Sequence, residues 1–167
     1  MLPYLTSRLH CNVHIKLELF IALEGFTLPS LFVVKELTVL YPNRDFRHFL
    51  FEKPIDFTPT EKDCTTIRFI TKKLSQLVFT EGEIPYNCIG SILQRYKNHT
   101  IYTYSDIAKS TLQNYLPTAR IINTQILGHQ LPKTLAKQNC FKNHNPRYCS
   151  LSKAIEVRKF VENEVYT

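Results

Sequence analysis

Two cysteines and a histidine lie within ten residues near the end of the sequence. The stretch reads Cys140-Phe-Lys-Asn-His144-Asn-Pro-Arg-Tyr-Cys149, and a helical pattern begins directly after it at Ser150. Zinc binds thiolate and imidazole groups in tetrahedral sites, and a short polar loop can bring three such ligands to one ion. A helix dipole would also favour the thiolate of Cys149. The spacing matches no complete zinc motif, so chance grouping is the alternative unless a fourth ligand exists.

Glu36 is the candidate fourth ligand. It lies in a run from Phe32 to Tyr41 that gives the strongest strand signal in the chain. Strand alternation predicts that one face carries Phe32, Val34, Glu36, Thr38 and Leu40, and that the other carries Val33, Lys35, Leu37 and Val39. A carboxylate among apolar neighbours is costly unless a cation or several donors compensate it. The alternative is a partly hydrated edge strand.

These residues together predict a four-coordinate zinc site that ties the sheet to the last helix. Its predicted ligands are Glu36, Cys140, His144 and Cys149. The zinc ion would be structural, because all four positions are taken by protein ligands.

The elements that must position this site follow from hydrophobic periodicity. Strands are predicted at residues 17–26, 32–41, 47–51, 100–104 and 119–123. Helices are predicted after Pro59, from Pro85, at 107–115 with Ser105 as N-cap, and after Cys149. The order predicts an α/β domain with an antiparallel three-strand meander, two added parallel strands and flanking helices. Residues 1–16 are interpreted as an N-terminal lead-in and 17–167 as a single domain.

Composition limits the class of protein. The 167 residues are 44% hydrophobic and 21% charged, which fits one globular domain with a sizeable core. The net charge of +7 favours polyanionic partners. Five cysteines, an odd number, without a secretory signal predict a reducing compartment, so we expect an intracellular protein of the cytoplasm or nucleus. No apolar run is long enough to predict a membrane span.

The order of elements resembles the RNase H-like fold of DEDD exonucleases. Ile21-Ala-Leu-Glu-Gly25 stands where the first strand of that fold carries Asp-x-Glu. The Glu, Cys, His, Cys series is similar to the zinc signature of the Maelstrom domain, an RNase H-like branch associated with the piRNA pathway. The chain also resembles uncharacterised proteins of insects and of insect-associated viruses or mobile elements. That resemblance covers residues 17 to 162 and includes Leu23-Glu-Gly-Phe26, Val34-Lys-Glu-Leu37 and Gly82-Glu-Ile-Pro-Tyr86.

The departures from the exonuclease pattern concern its carboxylates. Two-metal nucleases need several carboxylates around their ions. At the matching positions this chain has Ala22, Glu24 and Lys109, and its last helix offers Cys149 and Ser150 in place of the family His and Asp. Asp106 would lie about a turn too early in its helix. The resemblance therefore implies a fold of nuclease ancestry without the usual two-metal centre.

The leading hypothesis is a zinc-stapled, catalytically degenerate RNase H-like domain that binds nucleic acid, with single-stranded RNA favoured over DNA. Basic residues would contact phosphates and a tyrosine would stack on a base. The candidate contacts are Arg95, Lys97, Lys109, Lys142, Arg147 and Tyr148. Two alternatives stay open. One is an active nuclease of the DEDD-related or Maelstrom type, with Glu24 at the catalytic position, and the other is a protein-interaction domain that binds no nucleic acid.

Overall fold

The computed structural model describes residues 17–138 and 144–165. The strands are β1 (Glu18–Thr27), β2 (Phe32–Leu40), β3 (Phe46–Leu50), β4 (Thr100–Thr103) and β5 (Arg120–Asn123). The helices are α1 (Glu61–Phe69), α2 (Ile89–Gln94), α3 (Asp106–Tyr115) and α4 (Ser150–Phe160). π-helical turns continue α1 through Ile70–Ser75 and α4 through Val161–Val165. Within the described ranges, no helix combines the length and the apolar character needed to cross a membrane.

The five strands form one open mixed sheet in the spatial order β3-β2-β1-β4-β5. The pairs β1–β2 and β2–β3 are antiparallel, whereas β1–β4 and β4–β5 are parallel. The predicted α/β class, with a meander followed by two parallel strands, is therefore confirmed. Because β2 lies between β1 and β3, the alternative of an exposed edge strand around Glu36 is wrong.

Capping side chains fix where two of the helices begin. Thr60 and Asp63 form a capping box at α1, in which the Thr60 hydroxyl accepts from the Asp63 N–H at 3.2 Å and the Asp63 carboxylate accepts from the Thr60 N–H at 2.9 Å. Ser105 caps α3, as predicted, by accepting from the Ala108 N–H at 3.3 Å. Both caps satisfy N–H groups that the first turn of a helix leaves without partners.

The sheet buries a separate hydrophobic cluster on each face. On one face, the β1 residues Leu19, Ile21 and Leu23 pack with side chains of α2 and α3. On the other face, α4 covers a smaller cluster that contains Phe20, Ala22, Leu40, Tyr102, Ala154, Val157 and Val161. Each large apolar side chain buried in this way contributes about 1.5–3 kcal/mol. The α4 face is the one that carries Glu36.

A β-bulge interrupts the register between β1 and β2. Glu24 is opposite Glu36, but Gly25 is opposite Val34, so Lys35 is the extra residue on β2. The alternation predicted for β2 is therefore wrong before Glu36: Val34 and Phe32 pack with the α2 and α3 cluster and not on the Glu36 face. Glycine is required opposite the bulge, because a Cβ on Gly25 would lie 1.9 Å from the carbonyl oxygen of Val33.

The bulged lysine ties two loops to the sheet. Lys35 is fully buried, and its ammonium donates to the carbonyl oxygens of Phe51, Phe79 at 2.9 Å and Glu81 at 2.6 Å. Burial lowers the pKa of Lys35 to about 8, while the nearby Glu52 and Glu81 act in the opposite direction. These hydrogen bonds fix the part of β2 next to Glu36.

Candidate metal centre and the adjoining cleft

Glu36 lies at the centre of a buried polar group between β2 and the start of α4. Its side chain is completely inaccessible to solvent. One carboxylate oxygen, Oε1, accepts hydrogen bonds from the Ser150 N–H at 2.8 Å and from the Ser150 hydroxyl at 2.7 Å. The Nε2 atom of His48 lies 3.1 Å from the same oxygen. Oε1 therefore accepts two hydrogen bonds and has an imidazole nitrogen beside it.

The second carboxylate oxygen, Oε2, has a different environment. It makes no hydrogen bond within the described ranges, and the Nε2 atom of His144 lies 3.0 Å from it. One donor atom each from Glu36, His144 and Cys149 lies within 4.8 Å of the others, and all three residues are buried. Zinc donors at about 2.0–2.3 Å from the ion are about 3–4 Å apart in a tetrahedral site. The three residues thus form a buried group that could hold a metal ion, and thiolate, imidazole and carboxylate are zinc ligands.

Three of the four predicted metal ligands are therefore brought together across more than a hundred residues of sequence. Cys140, the fourth, lies outside the described residues. Glu36 comes from the middle of β2, while His144 and Cys149 flank a short 3₁₀ turn at Pro146–Tyr148. Asn145 begins this turn by accepting from the Arg147 N–H at 3.1 Å.

The start of α4 contributes to the electrostatics of the group. Cys149 is the N-cap residue of the helix, and the Ser150 N–H that bonds Glu36 belongs to the first turn. A helix N-terminus carries partial positive charge, which favours both a carboxylate and a thiolate. Burial by itself would raise the pKa of Glu36, but the neighbouring imidazoles of His144 and His48 outweigh burial and hold that pKa well below its usual range. Glu36 is therefore ionised, as a metal ligand must be.

The sequence interpretation missed His48. It lies on β3, and its Cα is opposite Thr38 of β2, which places it one step diagonally from Glu36 on the same face. The predicted third strand included this residue, and pairing it with β2 would have placed the imidazole near the carboxylate. Predicting the contact between His48 and Glu36 requires the register of β3 with β2, which the sequence pattern does not specify.

A cleft of about 440 Å³ adjoins the metal group where β1 ends. Its lining is mainly apolar and includes Leu23, Phe32, Phe69, Ile70, Leu74 and Ile107. Glu24, directly opposite Glu36 on the neighbouring strand, is also part of the lining. The Glu24 carboxylate is paired with the ammonium of Lys153 from α4. Burial raises the pKa of Glu24, and Lys153 opposes this effect.

An aromatic ring completes the mouth of the cleft. Tyr148 is half-buried, lines the cleft, and lies with its ring centroid 5.9 Å from the ammonium of Lys153. Lys153 follows Cys149 by one helical turn, so the same short segment supplies a candidate metal ligand and two cleft residues. Tyr148 is among the predicted nucleic-acid contacts, whereas Lys153 is not, because its position over Glu24 depends on how α4 packs on the sheet.

The positions expected to carry nuclease carboxylates lack them here. Ala22 is buried in the cluster under α4, and Lys109 is half-buried on α3. Asp106, the nearest acidic residue to the expected helix position, accepts a hydrogen bond from the Asn123 amide at 2.9 Å. It is not part of the cleft lining. Among the described lining residues, Glu24 is the only carboxylate, and it is neutralised by Lys153.

The residues predicted to contact nucleic acid lie in two places. Tyr148 lines the cleft, and the adjacent Arg147 is exposed while donating to the carbonyl oxygens of Pro132 at 3.3 Å and Lys133 at 3.4 Å. Lys109 lies on α3, next to a lining residue of the cleft.

Two of the predicted contacts lie away from the cleft. Arg95 and Lys97 are exposed and precede β4, at the edge of the sheet where β1 and β4 begin, whereas the cleft lies where these strands end. Lys142 lies outside the described residues.

No protein-family model, no curated protein and no solved structure matches this chain. The geometry of the metal group and of the cleft is thus the basis for assigning a function.

Proposed function

We propose that this protein is a zinc-stabilised domain of the RNase H-like type that binds single-stranded nucleic acid, RNA in preference to DNA, in the cleft beside Glu24, and that does not cleave it by a two-metal mechanism. The observation that carries the proposal is the Glu24–Lys153 pair, which neutralises the lone lining carboxylate within the described residues of a mainly apolar cleft.

The sheet supports the RNase H-like part of this proposal. Its order β3-β2-β1-β4-β5, antiparallel on one side of β1 and parallel on the other, agrees with the arrangement that the sequence resemblance implies. Ligands of sheets with parallel strands bind beyond the carboxyl ends of those strands. The cleft lies at this edge, next to the ends of β1 and β4.

The lining of the cleft suits an unpaired base. Phe32, Phe69 and Tyr148 offer aromatic surfaces, and stacking on such side chains contributes about 1–3 kcal/mol per base. Lys153 and Ser105 add polar groups that can bond the edge of a base or a ribose hydroxyl. A volume of about 440 Å³ is enough for one nucleotide and too small for a duplex. Single-stranded nucleic acid is therefore the favoured ligand.

Basic residues next to the cleft can contact the phosphates. The helical segment that supplies Phe69 and Leu74 to the lining also carries the exposed Arg68, Lys72 and Lys73. They are part of the basic excess that gives the chain its net charge of +7. Phosphate contacts of this kind release counterions, so binding should weaken steeply with salt.

Two-metal cleavage does not fit the same cleft. Two divalent ions close together need several carboxylates, and an ammonium at the one available carboxylate repels them. The Lys153 side chain thus takes the electrostatic role of a cation that a nuclease would recruit from solution.

The test is binding of a short labelled single-stranded RNA, followed by fluorescence anisotropy over a range of salt concentrations. Charge reversal at the cleft edge, Lys72→Glu with Lys73→Glu, should weaken binding about tenfold or more. The matched control is Arg95→Glu with Lys97→Glu, which removes the same charge at the opposite edge and should have a smaller effect. Tyr148→Ala should weaken binding, and Tyr148→Phe should restore most of it, because stacking requires only the ring.

Equal losses from the two charge reversals would contradict binding in the cleft and would indicate contact through overall charge. Absence of any salt-dependent binding by the unmodified protein would contradict the proposal and favour a protein-interaction domain.

A further inference from the structure

We infer that His48 is a positioning residue of the metal centre: together with Ser150 it holds Oε1 of Glu36, so that Oε2 is directed at the ion. This inference rests on the proposed zinc site, and it assigns a role to a residue outside the predicted ligand set.

The two carboxylate oxygens of Glu36 have different neighbours. Oε1 accepts two hydrogen bonds from Ser150 and has the Nε2 atom of His48 at 3.1 Å. Oε2, fully buried, has no hydrogen bond in the described part of the chain and faces the Nε2 atom of His144 at 3.0 Å. A carboxylate fixed by donors on one oxygen presents the other in a defined direction. This is the usual division of labour in metal sites, where outer contacts orient a ligand.

His48 is placed to orient Glu36 and not to bind the ion itself. The donor atoms that lie within 4.8 Å of one another belong to Glu36, His144 and Cys149, and His48 is not in this group. It approaches Oε1, where two donor hydrogens of Ser150 already point at the oxygen. A cation bound there would be repelled by those hydrogens, whereas a third N–H donor is compatible with them.

The surrounding structure keeps His48 in this position. Its side chain is only 2% exposed, and β3 is paired with β2 from Phe46 to Leu50, which fixes the imidazole diagonally across from Glu36. Ser150 is fixed on the other side because its hydroxyl is also 2.7 Å from the hydroxyl of Thr38. Glu36 is thus held between a sheet neighbour and the first residue of α4.

The test compares zinc release from the intact protein and from variants, measured as the rate of transfer to a coloured chelator. His48→Leu removes the donor, and we expect its zinc affinity to fall about 10–100-fold, with correspondingly faster release. His48→Gln keeps an N–H donor and should recover most of the affinity. Ser150→Ala, which removes only the hydroxyl donor, should shift release in the same direction by a smaller amount. His129→Leu, a buried histidine elsewhere, is the control and should leave release unchanged.

Cobalt substitution separates positioning from ligation. The visible spectrum of the Co²⁺-loaded His48→Gln protein should match that of the unmodified protein, because the set of metal ligands is the same. A changed spectrum would show that His48 is itself a ligand and would overturn the inference, as would unchanged zinc release in His48→Leu. Failure of the unmodified protein to retain any metal would instead overturn the zinc site on which the inference rests.

Discussion

Glu24 and Glu36 lie opposite each other on neighbouring strands and on the same face of the sheet, yet their environments differ. Glu36 is surrounded by Ser150, two imidazoles and a cysteine, and its pKa lies well below the usual range. Glu24 is paired with the ammonium of Lys153, and burial raises its pKa. Two identical side chains, one strand apart, therefore serve different purposes.

The difference shows how a sheet of this order can compensate two neighbouring buried carboxylates in different ways. Glu36 accepts hydrogen bonds from Ser150 and belongs to the group that could hold a metal ion. It therefore connects β2 to α4. Glu24 is neutralised by a lysine of the same helix and faces a cleft lined by apolar and aromatic side chains. The cleft therefore offers an apolar surface to a ligand and lacks the negative charge that divalent ions require.

The largest expected effect concerns the metal. Removal of the proposed zinc with a strong chelator, or Cys149→Ser, should lower the melting temperature by many degrees, because structural zinc contributes on the order of 10 kcal/mol to the folding of small zinc domains. Calorimetry with and without chelator measures the change. Cys64→Ser, a half-buried cysteine outside the metal group, is the control and should melt close to the unmodified protein. Identical melting of the chelated, Cys149→Ser and unmodified proteins would contradict a structural metal.

A second experiment compares the two glutamates directly. Glu36→Gln leaves the surrounding donors without their acceptor charge, and we expect a loss of about 3–5 kcal/mol in the free energy of unfolding. Glu24→Gln should cost less, since the ammonium of Lys153 is 20% exposed and can reach water when the carboxylate is lost. Chemical denaturation of both variants gives the two values. Equal costs would mean that the two carboxylates do not differ in the way described.

A smaller effect is expected from a third imidazole, that of His129. His129 stacks on Phe160 at 4.5 Å between ring centroids, and its Nδ1 lies 2.8 Å from the Thr124 hydroxyl. Burial lowers the pKa of His129 below 6.5, with Glu156 opposing. Below about pH 6.5 the unfolded chain therefore binds more protons at this residue than the folded chain, so acidification destabilises the fold.

The variant His129→Phe tests this sign. It keeps the ring packing and removes the titration, so its stability should decline less between pH 7 and 5.5 than that of the unmodified protein. Thermal melts across this range provide the comparison. A decline of the same size in both proteins would show that His129 makes no contribution.

We expect that divalent ions do not enable the protein to cleave nucleic acid. Addition of Mg²⁺ or Mn²⁺ to the protein with single-stranded RNA or DNA should not produce exonuclease products, because one neutralised carboxylate cannot hold two ions. A digestion assay with Glu24→Ala as the control variant tests this prediction. Robust degradation that this substitution abolishes would mean that further carboxylates reach the cleft.

Most of the sheet could be predicted from the sequence, because long apolar runs separated by turn residues define β1, β2 and β3 within one or two residues. The association of Glu36 with His144 and Cys149 was also predictable. A carboxylate in an apolar strand requires a compensating group, and the Cys/His loop was the best candidate in the chain.

Other features depend on contacts that no local pattern records. The role of His48 follows from the pairing register of β3 with β2. The bulge at Lys35 is indicated in the sequence only by Gly25 on the partner strand. Lys153 resembles any lysine on an amphipathic helix until the helix is placed over Glu24. The separation of Arg95 from Tyr148 is a consequence of strand direction, which periodicity does not give.

The most direct test of the metal centre is X-ray absorption at the zinc edge, combined with measurement of the zinc content of the purified protein. The account predicts one ion per chain with two sulfur ligands at about 2.3 Å and two nitrogen or oxygen ligands at about 2.0–2.2 Å, from Cys140, Cys149, His144 and Glu36. A spectrum with a single sulfur would remove Cys140 from the site. Absence of zinc, or a shell of nitrogen and oxygen alone, would contradict the proposed zinc centre.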